Sequence, residues 1–100
     1  MPSKSAGIVN TAAGGFTGAG AIVTLTLGFV PSLFVIYNIT GVIRWEKHLD
    51  MPANTSIKTV TAGTTTSDTT SAVVLNADGT VTLSAALCVN AQVCTWVAIA

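Results

Sequence analysis

The sequence predicts a single all-β domain, a small β-sandwich or a jelly-roll-like barrel, with a flexible N-terminal arm. Between residues 22 and 27, Ile22, Thr24 and Thr26 fall on one side and Val23, Leu25 and Leu27 on the other, the period of a half-buried strand. A Thr-rich stretch over residues 55–70 supplies β-branched side chains that favour pleated structure and disfavour a long helix. Two short runs, residues 72–75 and 80–83, flank Asn76-Ala77-Asp78-Gly79, a short Asp-Gly turn that reads as a hairpin. Strand-like segments recur at the roughly 8–12-residue spacing of a sandwich or barrel.

In chain order, residues 1–20 are rich in Gly, Ala, Ser, Thr and Asn, include Gly14-Gly15, and lack sustained periodicity. They read as an arm or a loose first strand, with the arm or linker over 1–15 and the β domain over 16–100. A strand follows at about 21–27, then the turn Gly28-Phe29-Val30-Pro31, then a strand at about 33–39. In the latter, Phe34, Val35, Ile36 and Tyr37 leave no polar face, the mark of a central strand covered on both sides. Residues 41–50 concentrate Arg44, Glu46, Lys47 and Asp50; as a strand, Arg44, Glu46, His48 and Asp50 share one face and Trp45, Lys47 and Leu49 the other. Met51-Pro52-Ala53-Asn54 breaks that strand, Ala62-Gly63 marks a turn, and a last strand lies at about 95–99.

Composition narrows the function. With 100 residues, one core is possible but a walled pocket is hard to fit, which argues against an elaborate enzyme. Four basic and four acidic residues, with no basic run, lack the charge that nucleic acid or an anionic membrane surface demands. A chain that is 50% hydrophobic and 8% charged has little self-repulsion, so it is prone to associate. Disorder needs the opposite composition.

Residues 19–43 carry no charge, long enough on length alone to span a bilayer. Pro31, the strand-period alternation and the β-branched content argue against a lipid-spanning helix. Met1-Pro2-Ser3-Lys4 leads into Ser, Ala and Gly rather than an apolar block, so the expectation is synthesis in the host cytoplasm without a secretory signal.

No residue pattern points to catalysis, a cofactor or a metal. Cys88 and Cys94, with a single histidine in the chain, lack the ligands and spacing of a zinc site and read as buried thiols, a disulfide being the lesser alternative. His48 lies near Glu46 and Asp50, the only arrangement a small hydrolase could use, but no nucleophile motif accompanies it and a solvated strand face is the simpler reading. The early glycines lack the Gly-Lys-Ser/Thr of a phosphate loop. Asn38-Ile39-Thr40 and Asn54-Thr55-Ser56 match the glycosylation pattern by chance in a chain without a secretory signal. Trp45 and Trp96 read as core or interface anchors, and together with Phe16 and Phe29 they are the candidate interface residues.

Several short motifs occur in a telling order: Phe16-Thr17-Gly18-Ala19-Gly20 before the alternating strand, Leu27-Gly28-Phe29-Val30-Pro31 before an apolar strand ending Asn38-Ile39-Thr40, and Trp45-Glu46 in a segment closing at Met51. Ile57-Lys58-Thr59-Val60-Thr61-Ala62-Gly63-Thr64 and the closing Asn90 with Trp96-Val97-Ala98 complete the series, which spans most of residues 16–98. This order resembles the small virion structural proteins of tailed bacteriophages, of the capsid decoration or cement class. The two cysteines near the end depart from that pattern, so no disulfide is carried over. The resemblance implies a non-enzymatic β domain on the capsid surface of the virion, bound to the major capsid protein. It also implies a homo-oligomer, with a trimer favoured, and supplies no catalytic residue. The alternatives are a tail or head-fibre component, or a carbohydrate- or receptor-binding β module that would present Trp45 or Trp96 to solvent.

Overall fold

A computed structural model describes residues 10–52, 55–69 and 73–100. The described chain is all β: β1 (Thr11–Thr17), β2 (Val23–Thr26), β3 (Leu33–Asn38), β4 (Ile43–His48), β5 (Ser56–Thr59), β6 (Thr65–Asp68), β7 (Val73–Leu75), β8 (Thr80–Leu83) and β9 (Val93–Ile99). Among the described residues, no helix is long and apolar enough to cross a membrane. The strands form a six-stranded sheet in the order β1-β9-β3-β4-β5-β6 and a three-stranded sheet in the order β2-β8-β7. All pairings are antiparallel.

The core lies between the two sheets. Phe34, Ile36, Trp45, Cys94 and Ala98 face inward from the large sheet and meet Val73, Val81 and Leu83 from the small one, with Leu87 and Cys88 filling in from the segment before β9. The alternation read in the sequence is the reason β2 fits: Val23 and Leu25 pack against this core, while Ile22 stays exposed.

The hairpin turn at residues 76–79 is the most local feature. Gly79 adopts φ +85°, a left-handed conformation that glycine takes without a Cβ penalty, and a Cβ there would also lie 2.9 Å from the Phe29 backbone nitrogen. Its carbonyl accepts from the Leu27 and Gly28 amides at 2.9 and 3.2 Å, tying the tip of the β7–β8 hairpin to the turn after β2.

Two expectations change. β1 pairs with β9 from Thr11↔Ile99 to Thr17↔Val93, so of the two readings of this stretch the first strand holds over residues 11–17, and residues 11–15, assigned to the arm, belong to the sheet. Periodicity missed this strand because its middle is Gly14-Gly15. At position 14 a Cβ would approach Trp96 Cζ2 to 3.0 Å, so the indole would have to shift to admit one. β3 is central, between β9 and β4, and among the described residues the small sheet packs on its inner face, while on the outer face Val35 is buried and Leu33 half-buried. On the outer face Tyr37 remains 44% exposed. Ala72 of the expected hairpin, Asn54 of the glycosylation pattern and residues 1–9 of the expected arm lie outside the described residues.

Candidate interaction site

The outer face of the six-stranded sheet carries several of the exposed large apolar side chains among the described residues. Strand registers order it into cross-strand rows. One row holds Ile99, Leu33 and His48; the next holds Ala13, Val97, Val35, Glu46 and Ile57; a third holds Gly15, Thr95, Tyr37, Arg44 and Thr59; a fourth begins with Thr17 and Val93. Val35 is buried even here, while Tyr37, Val93 and Ile99 are exposed and Leu33, Ile57 and Val97 half-buried. Burial of such side chains against a partner stabilises in proportion to the apolar area removed from water.

Charge on this face is confined to β4, where alternation places Arg44, Glu46 and His48 in one line. Glu46 reaches His48 at 3.9 Å, an exposed contact that contributes little. Arg44 has no ion-pair partner among the described residues.

At one end the face runs into an open groove of about 520 Å³, lined by Tyr37, Ile39, Val42, Arg44, Val60 and Thr95 among others. The β3–β4 turn forms its wall. Buried Asn38 builds that turn, accepting from the Gly41 amide at 2.8 Å and donating through Nδ2 to Gln92 Oε1 at 2.6 Å. The amide nitrogen that a glycan would need is therefore committed inside the fold. The Thr61 hydroxyl donates to the Gly41 and Val42 carbonyls, both at 3.3 Å, across from β5. Val42 takes φ +55°, a conformation strained for a β-branched residue, and its side chain is 60% exposed.

The inner face differs in kind. The Trp45 indole donates to Asp68 Oδ2 at 3.0 Å in the interior, and Lys58 Nζ lies 5.6 Å from the Trp45 ring centroid. Lys47, only 3% exposed, donates from Nζ to the Pro52 and Thr55 carbonyls at 2.6 and 2.7 Å. Burial holds its ammonium below the ordinary lysine range. This ammonium is occupied in closing the loop after β4.

Of the candidate interface residues, Trp45 is 2% exposed and belongs to the core. Trp96 is half-buried and stacks on Phe34 with ring centroids 5.9 Å apart, and Phe16 and Phe29 are half-buried against the core. Neither tryptophan forms an open platform of the kind a sugar ring would stack on. Tyr37, Arg44 and Glu46 hold the exposed face instead. Their alternation in sequence signalled a shared face for the charges, but which face stays open depends on non-local pairing.

Cys88 and Cys94 are free thiols, both fully buried. Burial, reinforced by the neighbouring Cys94, pushes the Cys88 thiol up to about 11, and burial raises Cys94 as well. His48 sits at the exposed end of β4 beside Glu46, and Asp50 lies past the strand in the following turn. Among the described residues, no three His, Cys, Asp or Glu side chains gather as a metal site. Comparison with known proteins finds no matching family model, no matching curated protein and no matching solved structure.

Proposed function

We propose that this chain is a non-enzymatic structural protein of a bacteriophage particle, a capsid decoration or cement protein that binds the major capsid protein and stabilises the assembled head. The observation that carries this reading is the outer sheet face, where Tyr37, Val93 and Ile99 stay exposed and charge is confined to Arg44, Glu46 and His48 of β4, on a domain whose core cluster lies on the other face. The order of sequence motifs described above supports the same assignment. A cement protein works by linkage. It binds the assembled lattice and not free capsid subunits, so each bound copy shifts the equilibrium toward assembly, and many modest contacts on one particle add up by avidity.

The test is made on particles carrying the protein. The chain is expected to co-sediment with heads, to give cryo-electron microscopy density at three-fold or quasi-three-fold positions of the capsid, and to raise the temperature at which heads rupture. Density confined to the tail, or heads of unchanged stability after its removal, would overturn the cement assignment.

A further inference from the structure

We infer that the outer face of the six-stranded sheet is a self-association surface, on which a second copy of this chain stacks its own outer face about a two-fold axis lying between the Val35 and Tyr37 rows. Two sheets packed face to face lie about 10 Å apart with strands within about 30° of alignment. A two-fold axis parallel to the sheets and across the strands lays each strand antiparallel on its own copy. β3 and β4, the two middle strands of the order β1-β9-β3-β4-β5-β6, then form the centre of the contact.

The charges select this arrangement. Arg44 and Glu46 lie on one face of β4, two residues and thus roughly 6.8 Å apart. With the axis midway between them, Arg44 of each copy faces Glu46 of the other, giving two reciprocal ion pairs. With the axis along the strands, Arg44 would face Arg44 and Glu46 would face Glu46, which repel. An isologous contact needs such a self-complementary pattern.

The same axis settles the apolar residues without further choice. It sets the row of Val97, Val35 and Ile57 over the partner's row of Thr95, Tyr37 and Thr59, so the half-exposed Tyr37 ring covers Val35. It also sets the Ile99 row over the Val93 row, covering two side chains that are 37% and 43% exposed in the single chain. On β3 the residue that gains cover is Tyr37, since Val35 is already buried in the single chain.

The area suffices. Five strand spacings of about 4.8 Å and four rows about 6.8 Å apart give a footprint of roughly 500 Å² per copy before corrugation. The pair therefore reaches the roughly 1,000 Å² that a specific interface requires. A two-fold pair takes the place of the trimer implied by the sequence resemblance, and it uses the same outer face that supports the cement reading, so the pair and a capsid contact through that face exclude one another.

The test is the mass of the full chain in solution by sedimentation equilibrium, with folding of every variant checked by circular dichroism. The wild type is expected at twice its 10.1 kDa chain mass. Arg44→Glu and Glu46→Arg are each expected to weaken the pair by at least roughly tenfold, because each sets like charges across the axis. The double variant Arg44→Glu/Glu46→Arg, and an equimolar mixture of the two single variants, are expected to restore association, since both recreate opposite charges across the axis. A wild type that stays monomeric at millimolar concentration overturns the inference while leaving the cement assignment standing. A trimer, or single variants that associate as the wild type does, overturns it equally.

Discussion

The two faces of the six-stranded sheet are built from the same strands and finished to different degrees. The inner face buries Phe34, Ile36, Cys94 and Ala98 completely and satisfies its buried indole, Trp45, with Asp68. The outer face, one residue away along every strand, leaves Tyr37, Val93 and Ile99 open and aligns Arg44 with Glu46. The inner face explains why the chain folds. The outer face has no role in that account, and its apolar content becomes useful only when something covers it.

Substitutions on the two faces should therefore separate stability from association. The largest effect is expected for Phe34→Ala, which removes a fully buried ring stacked on Trp96 and should cost about 3–5 kcal/mol of unfolding free energy by denaturant titration. Trp45→Phe keeps most of the ring but removes the indole donor to a buried carboxylate, and should cost about 2–3 kcal/mol. On the opposite face, Tyr37→Ala should change the stability of the single chain by no more than about 1 kcal/mol while weakening self-association roughly tenfold, read by sedimentation. A Tyr37→Ala protein that unfolds as readily as Phe34→Ala would erase the distinction between the faces.

The smallest effect belongs to neither face. In the β7–β8 turn the Asp78 carboxylate accepts from the Thr80 hydroxyl at 2.6 Å and the Thr80 amide at 3.1 Å, which hold it below the ordinary carboxylate range. Its stabilising contribution is present above the unfolded-state value and is lost as pH falls through the lower folded-state value. Asp78→Ala should thus lower the melting temperature slightly at neutral pH, with the difference from wild type vanishing in strong acid. A difference that persists unchanged in acid would assign the loss to turn geometry rather than charge.

Local chemistry made part of this legible. The Asp78-Gly79 turn, the alternation of β2 and the unbroken apolar run of β3 each carry their signal within a few residues. β1 did not, because Gly14-Gly15 has no periodicity and only pairing with β9, far along the chain, makes it a strand. The Trp45–Asp68 bond spans 23 residues and requires β4, β5 and β6 to be in register before it exists. For the same reason side-chain type alone left Trp45 and Trp96 open as core or interface anchors, and pairing places Trp45 in the core. The β4 alternation grouped Arg44 with Glu46, but which side the small sheet covers is decided by contacts between distant segments.

The most direct measurement is an isotope-filtered nuclear Overhauser experiment on an equimolar mixture of labelled and unlabelled chains. Ile99 and Val93 stand at opposite ends of β9, six residues and therefore roughly 20 Å apart within one chain, too far for a cross-peak. Stacking of two outer faces about the proposed axis predicts a strong intermolecular peak between their methyl groups. Intermolecular peaks that involve only other surfaces, or none at all at millimolar concentration, would contradict it.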